Sequence, residues 1–144
     1  MFGIFPLIAL SVIAYNAVVF FGGTLFGLDE TVSAFDSVVT TLSLVSGDSW
    51  NITLGDLFVI VSLILLFIEI VKATHTGTAS IINHGLSMAV FIVCLVQFIM
   101  LAGFGNTTFF LITCMAFLDV VAGFTVTIST ARRDVGFGGG IFEG

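Results

Sequence analysis

Charge is what this sequence has least of. Of its 144 residues only 8% are Asp, Glu, Lys or Arg, and three are basic: Lys72, Arg132 and Arg133. A soluble globular domain carries about 25% charged residues, so a water-facing surface of ordinary composition is excluded. Three cations set in a formal net charge of −6 cannot neutralise a phosphate backbone, which excludes nucleic acid as a partner. Cysteine occurs twice, at Cys94 and Cys114, each inside an apolar run and neither in a ligand-spaced cluster. A disulfide framework and a zinc site are therefore not expected, and both thiols read as small hydrophobes. The single proline, Pro6, falls in the first turn or two of an apolar run, where a missing N–H does little harm. GxSxG, HExxH, P-loop and CxxCH motifs are all missing, and no two histidines face each other at one depth as haem ligation needs. No cofactor and no catalytic residue is expected, and the chain reads as a non-enzyme.

What is present is apolar. The hydrophobic fraction is 58% and the mean hydropathy +1.27, and lipid solvates such side chains directly. Four segments approach the roughly 20 residues that a helix needs to cross the hydrocarbon core: about 2–21, 54–73, 80–101 and 108–130. Gly22-Gly23, Thr76-Gly77 and Gly103–Asn106 punctuate them. The first segment lacks a positively charged start and exceeds a signal-peptide core, so it reads as a retained helix. The expected fold is an all-α integral membrane protein, one domain over 1–144, with four transmembrane helices and an extracytoplasmic β-hairpin between the first two. Residues 136–144 form a Gly-rich tail, expected to be flexible.

The basic residues orient this layout. Lys72 ends the second segment and Arg132-Arg133 follow the fourth, so with four spans they share a side, which the positive-inside rule makes cytoplasmic. Both termini are then cytoplasmic, and the acidic connection with Asp29, Glu30, Asp36, Asp48 and Asp56 faces outward. Lys72, His75, Arg132 and Arg133, with His84, are placed to meet anionic lipid headgroups.

Residues 38–54, VVTTLSLVSGDSWNITL, alternate around Ser46-Gly47-Asp48-Ser49. Period-2 alternation about a Gly-containing turn is a hairpin signal. One face would carry Leu42, Leu44, Trp50, Ile52 and Leu54, with Trp50 as an interfacial anchor. The stretch 37–51 also resembles the pore helix and filter of voltage-gated calcium and sodium channels, through Ser46, Gly47, Asp48, Trp50 and Asn51. That resemblance implies a cation-selective role for Asp48. The chain has no Arg-rich voltage sensor, and two further apolar segments follow where a pore-lining helix would end the module.

Inside the segments the polar residues are few and therefore informative. Asp119 lies near the middle of the fourth, where an ionised carboxylate costs several kcal/mol, so it should face the bundle interior. It shares a face with Ala116, Gly123, Thr127 and Ala131, a small-xxx-small spacing that suits close helix approach. Two roles are open: a hydrogen-bonded anchor, or a carrier of protons or ions. Candidate partners are Asn16, Ser62 and the stripe Asn83, Ser87, Val90, Cys94, Gln97 and Leu101, which is one helix face. Glu69 and Lys72, three apart, form an ion pair at the cytoplasmic boundary.

Two longer stretches, 46–78 and 109–134, resemble uncharacterised four-helix inner-membrane proteins of alphaproteobacteria. The resemblance implies the topology and a bacterial inner-membrane location, and carries no activity. The expected role is an accessory or assembly subunit whose partners are the bilayer and either another membrane protein or further copies of the chain. The rival is an oligomeric ion channel or proton-coupled transporter that uses Asp119 and Asp48.

Overall fold

The computed structural model describes residues 5–26, 34–73 and 78–138, the last turns of the final helix by their backbone. Four helices and one hairpin follow in the order α1 (Ile8–Phe26), β1 (Val38–Ser43), β2 (Ser49–Thr53), α2 (Leu54–Ala73), α3 (Thr78–Met100) and α4 (Thr107–Gly138). The expected four helices and the hairpin between the first two are present. Helices α2, α3 and α4 are long and apolar enough to cross a membrane, and α1 adds a shorter apolar stretch, Ile8–Thr24.

Helix α1 starts later and ends later than the hydropathy of 2–21 suggests. Proline disfavours helical geometry in the residue before it, so the helix begins just past Pro6. The first turn is made by Ala9 N to Pro6 O (3.1 Å) and Leu10 N to Leu7 O (3.0 Å). At the other end Gly22-Gly23 does not stop it. An interior glycine costs a helix only about 1 kcal/mol. Helix α4 likewise runs past 130 to Gly138, so 136–138 of the expected flexible tail are helical. Thr76-Gly77, His75 and 139–144 lie outside the described residues.

The helix starts are closed by side chains. Thr53 and Asp56 form a reciprocal box: Asp56 N donates to Thr53 Oγ1 (3.1 Å), and Thr53 N donates to Asp56 Oδ2 (2.8 Å). This lets β2 pass into α2 with no linker. The joint is fastened to the preceding chain by Leu54 N to Ser37 O (3.0 Å) and Gly55 N to Phe35 O (2.8 Å). Asn106 caps α4, its Oδ1 accepting from Phe109 N at 3.0 Å. Gly103, at φ 88°, makes the reversal after α3.

Helix α4 is the hub, packed most extensively on α3 and α2. Its inner face carries Phe109, Ile112, Met115, Ala116 and Val120, all buried. Tyr15 of α1 stacks on Phe35 with ring centroids 4.3 Å apart and touches Phe58, Phe104 and Phe109, closing the core at the hairpin end.

Strands β1 and β2 are antiparallel, pairing Leu42 with Trp50, Thr41 with Asn51 and Ser43 with Ser49, with a bulge between Val38 and Thr40. Leu42, Trp50 and Ile52 share one face, as expected, while Thr41 Oγ1 donates to Asn51 Oδ1 (2.8 Å) on the other. Leu44 lies beyond the strand and Leu54 belongs to α2. Only Ile52 of the apolar face is buried; Leu42 and Trp50 are exposed. Gly47 N bonds to Leu44 O (3.0 Å) and Leu44 N to Asp48 O (2.8 Å). Gly47 at φ 93° completes the three-residue loop. Strand and turn thus stand where the channel resemblance implies a pore helix.

A side chain at a left-handed position is strained by about 1–2 kcal/mol. Gly47→Ala should therefore open the turn, and Leu44 amide hydrogen exchange should accelerate by roughly 5–30-fold while α3 amides keep their rates.

Candidate functional site

Two polar layers cross the bundle. Near the hairpin end, Gln97 Nε2 donates to Asn16 Oδ1 (2.7 Å), and Asn16 Nδ2 returns a bond to Gln97 Oε1 (3.3 Å) and one to Val12 O (2.8 Å). Beside them the Tyr15 hydroxyl donates to Gly103 O (3.2 Å) and accepts from Asn106 Nδ2 (2.6 Å). This layer is satisfied within itself and uncharged.

The layer at the other end holds the charge, and Glu69 is its centre. Glu69 is fully buried. Its Oε2 accepts from Lys72 Nζ at 2.9 Å and from the Leu7 backbone N at 2.9 Å, and its Oε1 accepts from Asn83 Nδ2. Lys72 Nζ also donates to Phe5 O at 3.0 Å. The Glu69–Lys72 pair is thus present, but Glu69 is not a boundary group reaching for water. It joins α2 to the start of α1 and to α3, and only the Lys72 side chain, 24% exposed, reaches the surface.

Antiparallel packing of α3 on α4 builds the rest. Asn83 and Ser87 lie one turn apart on α3 and are both buried. The Ser87 hydroxyl acts on the Asp119 carboxyl of α4, which also feels the charges of Glu69, His84 and Lys72. Asp119 is 2% exposed. One turn along α4, Gly123 lies under the His84 ring: a Cβ built there would come within 2.6 Å of Cε1 and 2.7 Å of Cγ. Gly123 of this face thus makes room for a histidine ring.

Several sequence expectations shift here. His84 is buried in the cluster and not placed against headgroups. Asn16 does not serve Asp119, because it pairs with Gln97. Ser62 is buried but donates to Phe58 O of its own helix at 2.6 Å. The α3 stripe does turn inward at Asn83, Ser87 and Cys94, is half-buried at Val90 and Gln97, and ends exposed at Leu101. Cys94 is a buried free thiol and Cys114 a half-buried one. Gly47, Asp48 and Trp50 sit on the exposed hairpin, where the Ser46 hydroxyl donates to Asp48 Oδ2 at 3.1 Å. His75 and the side chains of Arg132 and Arg133 lie outside the described residues.

The chemistry of the cluster is that of charge held out of water. Among the described residues no group of three or more His, Cys, Asp or Glu is arranged to hold a metal ion. The Asn83–Glu69 contact and the burial of His84 have no local signature. The Asn106 cap and the Thr53-Asp56 box do, as capping residues just ahead of apolar runs.

Removing one member of a buried ion pair strands the others, at about 3–5 kcal/mol. Because Lys72 keeps contact with solvent, Glu69→Ala should cost near the lower end, about 3 kcal/mol. Denaturant titration of helicity in detergent would measure it, with Lys72→Ala costing more, because it leaves the fully buried Glu69 carboxylate without its countercharge.

Compared with known family models, curated proteins and solved structures, the chain matches none of them, so the cluster is read from its own geometry.

Proposed function

We propose that this chain is a non-catalytic, four-span inner-membrane protein that serves as an accessory or assembly subunit of a larger membrane complex. The observation that carries the membrane part is inversion of the usual side-chain distribution. Glu69, Asn83 and Asp119 are buried inside the bundle, while Phe67, Ile99 and Met100 are 67%, 71% and 74% exposed. Water would reverse that preference, and lipid rewards it. Helix α2, at about 1.5 Å per residue, reaches about 30 Å, the thickness of the hydrocarbon core.

The use of the polar groups supports the accessory role. Asn16 and Gln97 satisfy each other, and Glu69 is saturated by Lys72, Asn83 and Leu7. Between the two polar layers the described residues Leu66, Cys94, Ile112, Met115 and Ala116 fill the bundle with apolar side chains. The chain offers other proteins its apolar helix faces and the exposed hairpin, on which Leu42 and Trp50 pair. The rival role, an ion channel or proton-coupled transporter, draws on buried Asp119. Any pore would then lie between subunits. Asp48, on an exposed turn, could serve it only in an assembly.

The hairpin belongs outside the cell membrane and the Lys72 end inside. Val45 at the hairpin tip is fully exposed, so Val45→Cys in intact spheroplasts should be labelled by a membrane-impermeant maleimide. Labelling only after lysis would invert the topology. Native mass spectrometry after gentle extraction tests the role: the chain should emerge bound to a larger membrane protein. A clean homo-oligomer would reject the accessory reading in favour of the rival. Asp119→Asn then separates the two, since an anchor tolerates the amide and a carrier does not.

A further inference from the structure

We propose that the groove between α1 and α3 is a lipid site, which seats one acyl chain of an anionic phospholipid with its phosphate beside Lys72. The groove holds about 370 Å³, with Pro6, Ala9 and Ile13 on one wall and Leu86, Ala89 and Val93 on the other. It presents no polar surface. The site rests on the membrane reading above and not on the accessory role.

The groove exists because α1 and α3 are tied together at two levels. At the Lys72 end, Glu69 takes the Leu7 backbone N–H at 2.9 Å and the Asn83 amide. Toward the hairpin end, Gln97 Nε2 donates to Asn16 Oδ1 at 2.7 Å. Between these ties Ala9 and Ala89 give the walls only methyl groups. Helix α1 accordingly packs less on α3 than on α2 or α4. Helices pinned at both levels do not close the gap. The walls of a gap forfeit dispersion contacts, and a chain lying in it restores them.

Size and chemistry choose the occupant. A helix with its side chains is about 10–12 Å across, too wide for a groove of about 370 Å³. At about 30 Å³ for a water-sized group, that volume takes roughly a dozen methylenes. From Leu86 to Val93 the wall covers about 10 Å of helix, which fits within one leaflet of a hydrocarbon core about 30 Å thick. Charge decides where the headgroup goes. Phe5 also lines the groove, and its carbonyl accepts from Lys72 Nζ at 3.0 Å. The Lys72 side chain is 24% exposed, whereas that of its partner Glu69 is fully buried. The groove's end therefore shows a cation to the headgroups and hides the counter-ion, and a phosphate is drawn there.

Photolabelling tests the site, with the full-length chain in phosphatidylcholine nanodiscs that carry a trace of phosphatidylglycerol bearing a diazirine in one acyl chain. Label should concentrate on residues 5–13 and 86–93. Unlabelled phosphatidylglycerol should compete where extra phosphatidylcholine does not. Ala89 is exposed, so Ala89→Phe sets a ring in the groove without disturbing the core. Displacing even two methylenes should lower labelling about tenfold. Val96→Phe, at an exposed position outside the groove, should leave labelling unchanged. If Ala89→Phe does not fold, Ala89→Leu serves, since it fills part of the same space. Label spread evenly over all four helices would overturn the proposal. So would label on 5–13 and 86–93 that Ala89→Phe leaves intact, or that phosphatidylcholine removes equally well. Native mass spectra of the same preparations read the other occupant: a dimer that Ala89→Phe splits would give the groove to a second copy and overturn the lipid site. A chain that takes no label on any helix would fail the membrane reading itself, and the site with it.

Discussion

The Glu69 carboxylate is the contact on which the arrangement of the helices depends. It takes a backbone N–H from the start of α1, the ammonium of Lys72 from α2 and the amide of Asn83 from α3. It also lies close enough to Asp119 to act on α4. An apolar contact tolerates sliding or rotation; a buried anion does not, because each donor lost leaves charge unsolvated. The register of three helices is therefore set where Glu69 sits. Helix α4 packs centrally through its buried Phe109, Ile112, Met115, Ala116 and Val120, with Gly123 leaving room for the His84 ring.

At the opposite end the constraint is aromatic and hydrogen-bonded, without charge. Tyr15 stacks on Phe35, and its hydroxyl meets both Gly103 O and the Asn106 side chain that caps α4. One tyrosine thus connects α1, the segment ahead of the hairpin and the α3–α4 reversal. The hairpin is joined to α2 through the Thr53-Asp56 box and the carbonyls of Phe35 and Ser37, so its orientation follows that of the helix. The two ends divide the work: one holds charge, and the other sets where the hairpin points.

Much of this was legible residue by residue. Hydropathy located the four helices, and alternation about Gly47 located the hairpin, because both depend on local periodicity. The small-residue face around Asp119 and the polar stripe on α3 followed from helical spacing. The boundaries of α1 were less legible, since apolar residues on both sides of Pro6 hide where backbone geometry permits the helix to begin. Asn16, Ser62 and Gln97 have the residue types to serve Asp119, and nothing local separates them from Ser87. Which of them does so depends on the depth at which antiparallel helices meet.

By itself, the sequence determined that the helices would be apolar outside, that their few polar side chains would turn inward and that a short hairpin would interrupt them. Those outcomes rest on each side chain's preference for or against water, which needs no knowledge of neighbours. Tertiary structure alone decided that Glu69 is a buried hub and not a surface ion pair. It also brought His84 into the core against Gly123 and buried Ser87 and Asp119. The reason is geometric: a residue's partner on another helix is chosen by crossing depth and rotation, and these emerge only when all four helices pack at once.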